Sequence, residues 1–472
     1  MPERAATYRI VTALKPGPCT IFPAEPQRFT PRAHIAAHAG APAGTEPNNQ
    51  EKTMLALRAR SLGLCLAAAA LIALATSASA RADTVTDWNT NAVNALVGTA
   101  GQSPTVSTVN LAMVHGAVYD AVNSIDDRYE PYLVDVRARD GDSKDAAAAT
   151  AAYRVLLDIV PAQEPALKPL YEASLASIPD GRAKTGGIAV GEIAAAAMRA
   201  ARTGDGRGGA YRFPAPASPQ DPWRLGQWRP VLPAFGNDPA AWIKDVRPFL
   251  IHDAADYGTD GPDALTSKAY AREFNEVKEI GSLTSTTRTA DQTDQARFWA
   301  EGPQPWTRAA RELAVDRGLR PSETARMFAM LYTTGADALI STWNDKARWL
   351  SWRPITAIRE AGSDGNQGTD ADVAWAPLIN TPAYPDQPSG LSAVSAAMAE
   401  SLEAVFGQRA RFSMTSRTSN TTRSYRSFSH AVDEVVDARV YSGIHFRKAD
   451  EDGAALGEDV ARSGLRRNFE RD

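Results

Sequence analysis

Apolar residues along the chain recur at three- and four-residue steps far more often than they alternate, the pattern of helices rather than strands. From Ser107 to Ser124, Leu111, Val114, Val118 and Val122 fall near one helical face. Lys144 to Val160 is rich in alanine, carries Leu156, Leu157 and Ile159, and is ended by Pro161. Gly187 to Arg202 repeats that style. Helical spacing resumes over Leu265 to Ile280, Ala290 to Trp299, Pro321 to Trp349, Leu391 to Phe406 and Ser427 to Tyr441, with Pro321 suited to a first helical turn. Between the two groups, Thr203 to about Pro239 is dense in Gly, Pro and Trp. A stretch of that length without regular structure is uncommon inside a compact domain and often functional. Strand signals are sparse, and no internal repeat stands out. The pattern predicts an all-α chain whose N-terminal half (83–239) packs against a C-terminal half (240–472).

Residues 54–82 read as a signal peptide. Arg58 and Arg60 precede an uncharged run from Ser61 to Ala80, and two small-residue cleavage patterns follow, Ala78-Ser79-Ala80 and Ala80-Arg81-Ala82. The strongly apolar part, Leu62 to Ala75, is shorter than the ~20 residues a membrane span needs. Leu64 before Cys65 argues against a lipoprotein. Residues 1–53 fit no export signal and read as an untranslated or disordered extension, with translation starting at Met54. The expected product is periplasmic or secreted, without stable membrane insertion.

Composition narrows the chemistry. The 472 residues include 51 Lys and Arg against 55 Asp and Glu, with 44% apolar and 22% charged residues, enough for a core. Both cysteines, Cys19 and Cys65, precede residue 83, so the expected mature chain has no thiol nucleophile, thiolate zinc site or disulfide. That segment carries 42 basic and 51 acidic residues, a balance that argues against nucleic acid as a partner.

Three short segments of the second half gather cations, small residues and a histidine. In KARWLSWRP (346–354), Lys346 and Arg353 are two helical turns apart and would share a face, and Pro354 makes Arg353 a helix edge. In YPDQPSGLSAVSAAMAESL (384–402), Pro388-Ser389-Gly390 opens a helix whose free N–H groups and Ser389 hydroxyl suit an anion, while Gly390 allows close approach to the backbone. In DARVYSGIHFR (437–447), Arg439 and His445 are six apart, and Ser442-Gly443 can end the helix and bring them together. Singly these read as a solvated basic face, an ordinary helix start and a lone histidine. Together they supply three cations, uncharged donors and an imidazole, a set suited to a tetrahedral or trigonal-bipyramidal oxyanion.

The order Lys-x6-Arg-Pro, Pro-Ser-Gly, Arg-x5-His resembles the signature of vanadium-dependent haloperoxidases and type 2 phosphatidic acid phosphatases. Thirty-three residues separate Pro354 from Pro388, and 47 separate Leu391 from Arg439. Weaker similarity to bacterial haloperoxidase-like proteins runs through Met113 to Tyr132, Gly226 to Pro230 and Arg297 to Trp299. The resemblance implies two packed helical bundles with the oxyanion in the second. It implies that Lys346, Arg353, Ser389, Gly390 and Arg439 hold the oxygens of vanadate, with phosphate as an alternative occupant. By the same resemblance His445 coordinates the vanadium, or becomes phosphorylated in a phosphatase, and the partners are peroxide and a small-molecule substrate.

One position departs. The family's Pro-Ser-Gly-His reads Pro388-Ser389-Gly390-Leu391, and leucine cannot donate, accept or carry the proton that the acid–base histidine handles. Such assistance is typically worth about 10²–10⁴ in rate. His430, and Asp386 from the loop before Ser389, are the candidates to replace it. Three functions stay open: a peroxide-using haloperoxidase-like enzyme, an acid phosphatase with His445 as nucleophile, and a non-catalytic phosphate- or vanadate-binding protein. The oligomeric state is not readable.

Overall fold

Caps and prolines set the helix boundaries in this computed structural model, which describes residues 83–214, 224–231 and 233–471. The extension and signal-peptide readings concern residues 1–82 and lie outside the described residues. Asp83 caps α1 (Thr84–Val93), Ser103 caps α2 (Pro104–Asp126) and Ser143 caps α3 (Lys144–Ile159), each accepting a first-turn N–H. Two more helices complete the first half, α4 (Glu164–Ala176) and α5 (Arg182–Ala201). From Thr203 to Pro239 the described residues form no helix or strand, as the composition predicts.

The second half contains α6 (Lys268–Ile280), α7 (Ala290–Phe298), α8 (Gln304–Asp316), α9 (Pro321–Trp349), α10 (Pro354–Glu360) and α11 (Gly390–Phe406). A hairpin of β1 (Phe412–Ser416) and β2 (Thr421–Tyr425) follows, then α12 (Phe428–Tyr441) and α13 (Arg447–Leu465). The bounds of α9 coincide with the stretch read from periodicity. Missed were the shorter α1, α8 and α10, together with α4, whose Pro165 and Pro169 oppose a helix signal, and α13, whose Gly453, Gly457 and Gly464 lower its propensity. The all-α expectation holds apart from the hairpin. Its outer face is built of Ser and Thr pairs, Ser413 with Ser424 and Thr415 with Thr422, which carry little hydrophobic alternation.

Helix α2 is not amphipathic as its spacing suggested. Leu111, Val114, Val118 and Val122 are buried, but so are His115, Asp120 and Asn123, because α3, α5 and α9 enclose it. Its buried carboxylate is satisfied by backbone, as Asp120 accepts the N–H groups of Tyr132, Leu133 and Val134.

The same plan occurs twice. Helices α2, α3 and α5 pack on one another, and so do α9, α11 and α13. Asp337 in α9 accepts the N–H groups of Phe249, Leu250 and Ile251, as Asp120 does for its own strip of backbone. Gly187 and Gly191 of α5 lie against the carbonyls of Ser143 and Ala147 in and before α3. Gly453 and Gly457 of α13 lie likewise against those of Ser389 and Ala393. A Cβ at any of these four glycines would strike backbone, so each helix pair closes only where side chains are absent. These are the two packed helical bundles, and one apolar cluster runs through both, from Val85 and Val114 to Trp343 and Val394. The repeat escapes sequence inspection because only a few contact residues are shared. No helix among the described residues is long and apolar enough to cross a membrane.

Candidate functional site

Lys346 occupies the last turn of α9, which stops at Trp349 because Leu350 turns left-handed at φ 48°. Arg353 therefore does not share a helical face with Lys346. It is extended (φ −87°, ψ 156°) ahead of Pro354 and caps α10. The turn still brings both cations over the Tyr384 ring, with Lys346 Nζ at 5.1 Å and the Arg353 guanidinium at 4.9 Å from its centroid. Lys346 donates to the carbonyls of Pro385 (2.7 Å) and Asp386 (2.8 Å), leaving one of its three N–H groups. Arg353 donates from Nε to the Tyr384 carbonyl at 2.8 Å and from Nη1 to that of Ile444 at 2.7 Å. Its Nη2 is buried without a partner.

Ser389 caps α11. Its N–H is not free for an anion, since it donates to the Ala449 carbonyl at 2.7 Å. The Ser389 Oγ lies 3.1 Å from the Ser392 hydroxyl oxygen. The N–H groups of Gly390 and Leu391 lie in the first turn, where no intrahelical acceptor exists. Gly390 is required by packing, because a Cβ there would come within 2.7 Å of the Trp343 ring.

Arg439 lies in the last turn of α12, buried, with Nε unpartnered. The helix ends at Tyr441, and Gly443 (φ 76°) makes the turn while in close contact with the Gly281 carbonyl. His445 is thereby delivered against Arg353, whose Nη1 lies 3.0 Å from Nε2. The opposite ring nitrogen, Nδ1, lies 2.8 Å from Asp386 Oδ1. Ser351 anchors that aspartate's loop, accepting the N–H of Asp386 at its carbonyl and that of Gln387 at its hydroxyl. Burial, with Arg353, Arg439 and Lys346 nearby, holds the imidazole well below its ordinary range and so keeps it neutral. A neutral ring that donates Nδ1–H to a carboxylate carries its lone pair on Nε2, the tautomer these partners assign. Burial pushes the Asp386 carboxyl up to about 6, against the pull of Arg353 and Lys346.

Sequence reasoning missed two acids. Asp450, on α13, is fully buried, accepts from the Ser392 hydroxyl at 3.0 Å and has no partner at Oδ2. Burial pushes it up to about 8, against Ser389 and Arg439. Its place five residues after His445 was the only available signal. Asp238, from the Gly/Pro/Trp-rich stretch, lines a cavity of about 240 Å³ together with Trp343, Tyr384, Gly390, Leu391 and Arg439. Of the two proposed stand-ins for an acid–base group, Asp386 is committed to His445. His430 packs edge-on against Tyr425 at 5.8 Å, away from this cavity.

The residues present fit a tetrahedral oxyanion. Arg353 Nη2 and Arg439 Nε are buried donors without acceptors, costly unless a ligand meets them. With the spare Lys346 N–H and the start of α11 they form a donor set drawn from separate segments of chain.

Residues 326–470 match the family model described as the VCPO second helical-bundle domain. The chain is similar to the vanadium haloperoxidases. Vanadium chloroperoxidase of Curvularia inaequalis is 31% identical over a segment covering 23% of this chain, and that segment spans only 22% of the relative's length. Among solved structures, a bacterial vanadium-dependent iodoperoxidase aligns with a TM-score of 0.67 at 23% identity, covering 82% of this chain and 95% of its own. A bacterial vanadium-dependent chloroperoxidase in its holo form aligns with a TM-score of 0.60 at 16% identity, covering 78% and 94%. These two likenesses are of fold.

Proposed function

We propose that this chain is a vanadium haloperoxidase-like enzyme that binds vanadate at Lys346, Arg353, Ser389, Gly390, Arg439 and His445 and uses peroxide to oxidise a halide or an organic substrate. The observation that carries the reading is the buried His445 ring, held at Nδ1 by Asp386, set beside two buried guanidinium groups that retain unmet donors. Bound vanadate would supply the Lewis-acid centre that activates peroxide. The chain's own contribution is to hold that oxyanion. Arg353, Arg439 and Lys346 neutralise its charge, Asp386 fixes the His445 tautomer, and the first turn of α11 adds backbone donors. Leu391 offers no proton at the place where the family resemblance puts a histidine, so turnover is expected to be slower than the cradle alone would allow. Export to the periplasm or medium completes the proposal.

Reconstitution with orthovanadate, followed by bromination of a phenolic dye with peroxide and bromide, tests it. Vanadate bound stoichiometrically with bromination above the apoprotein background is the expected result. A second reading is favoured by the same neutral, carboxylate-held His445, which also suits a phosphoryl nucleophile. Release of p-nitrophenol from its phosphate, inhibited by vanadate and without bromination, would select that reading. Thermal stabilisation by either anion without any turnover would select a binding protein.

A further inference from the structure

A second cavity, of about 470 Å³, has no wall residue in common with the one that Asp238 lines. One side of it is the strip 224–227, fastened where the Trp228 N–H donates to the Leu350 carbonyl at 2.6 Å and the Trp352 N–H to the Gly226 carbonyl at 2.8 Å. This gives the Gly226–Pro230 stretch a place that the oxyanion chemistry does not account for. Leu265, Tyr270, Trp352 and Phe446 supply flat apolar surface. Pockets that bind organic molecules combine such surface with a few placed polar groups.

The polar groups are of both kinds. Tyr270 is 2% exposed and its hydroxyl proton has no acceptor, and Nε1 of Trp349 is buried without a partner. Donors left in that state are costly, so an occupant with acceptor oxygens is favoured. Glu273 accepts the Lys448 N–H at 3.1 Å with one oxygen and keeps the other. Burial, helped by Asp263 and Asp386, pushes its carboxyl up to about 8 against the Lys448 N–H, so near neutral pH it both donates and accepts. Arg224, Arg348 and Lys448 share the wall with Asp263, Glu273 and Asp386, so an ion of either sign meets its like. A neutral molecule with hydroxyl groups on an otherwise apolar ring meets all of these at once. Since about 150 Å³ holds a benzene, the space admits two hydroxyl-bearing six-membered rings.

We propose that this cavity binds one or two rings of a neutral saccharide, at a site separate from the oxyanion cradle. The inference does not depend on what the cradle holds. The C–H faces of the sugar lie against the aromatic and leucine side chains, and its hydroxyls meet Tyr270, Trp349 and Glu273. A longer glycan continues past Leu225, which stands 48% exposed on the same wall. The protein would thereby hold to a neutral glycan while its oxyanion site stays free.

Titration calorimetry decides the matter, with cellobiose, maltose and lactose as neutral probes, and diglucosamine and digalacturonate as charged probes of the same size. At least one neutral disaccharide should bind with a Kd of about 1 mM or tighter, and both charged probes about tenfold or more weakly. Glu273→Leu should weaken the neutral probe at least about tenfold, while Glu273→Gln, which keeps a donor and an acceptor, should stay within a few-fold of wild type. Ala264→Trp, at an exposed wall position, should block entry without disturbing the core. Melting temperatures and orthovanadate titrations on the same samples identify any variant that has misfolded. Saturating orthovanadate should leave saccharide affinity within a few-fold of its value without the anion. Absence of binding by all three neutral probes overturns the proposal, as does equal binding of the charged ones. Affinity indifferent to both Glu273→Leu and Ala264→Trp, or displacement of the sugar by orthovanadate, overturns the assignment to this cavity.

Discussion

Asp386 Oδ1 lies 2.8 Å from Nδ1 of His445, and that contact assigns the ring proton to Nδ1 and leaves the lone pair on Nε2, 3.0 Å from the guanidinium of Arg353. The two residues come from different loops, so the pair exists only because Ser351 pins one loop and Gly443 turns the other. Asp386→Ala should leave the imidazole free to adopt either tautomer. Partners of this kind typically contribute about 10–100-fold to metal affinity or activity. Vanadate titration and kcat on the variant should both show a fall of that size, and unchanged values would remove Asp386 from the site.

Asp450 should make oxyanion binding sensitive to alkaline pH. Burial raises its carboxyl from 3.8 to about 8. Below that value it is mostly neutral beside the cradle, and above it the new negative charge faces the anion. Affinity for vanadate or phosphate is therefore expected to fall as pH rises past about 8, more in wild type than in Asp450→Asn. Stability follows the same sign. With the folded value above the ordinary one, the contribution is fully present below 3.8 and is lost as pH rises toward 8. Melting curves across that interval should decline less steeply for Asp450→Asn.

Arg353→Lys tests whether charge alone suffices. One ammonium cannot serve the carbonyls of Tyr384 and Ile444 and still meet an anion as the planar fork can. Losing one charge-assisted hydrogen bond to the ligand corresponds to roughly 10–100-fold in affinity. Isothermal titration with orthovanadate would reveal it, and a loss under twofold would contradict the assigned role.

Gly453→Ala should damage the site from behind, through the backbone of Ser389. The added methyl would strike the Ser389 carbonyl and force α13 away from α11, where Ser389 donates its N–H to Ala449. Overpacking of this kind costs about 1–3 kcal/mol. Chemical denaturation should register that loss alongside weaker anion binding. Gly362→Ala, where an added Cβ meets nothing within 4 Å, serves as the control.

Leu391→His restores a proton carrier at the mouth of the cradle. If acid–base assistance limits turnover, kcat should rise by a factor within the range of about 10²–10⁴, with a smaller change in anion affinity. A flat rate would show that leucine is not the limiting feature.

The chain's own letters determined the helical class and most of the long helices, and they named six candidate site positions. Local periodicity and cap chemistry are short-range properties, and Lys346, Arg353, Ser389, Gly390, Arg439 and His445 sit in short, unusual strings of residues. Tertiary structure decided what no local pattern encodes. It took Arg353 off the helical face of Lys346 through the left-handed Leu350, spent the Ser389 N–H on Ala449, and left His430 beside Tyr425. It also singled out Asp386, Asp450 and Asp238 from the chain's many acids by burying them near the site cations. Carboxylates look alike in a sequence. Their roles differ here because burial and neighbouring charge, which depend on residues far away in the chain, set whether each is ionised and what it can reach.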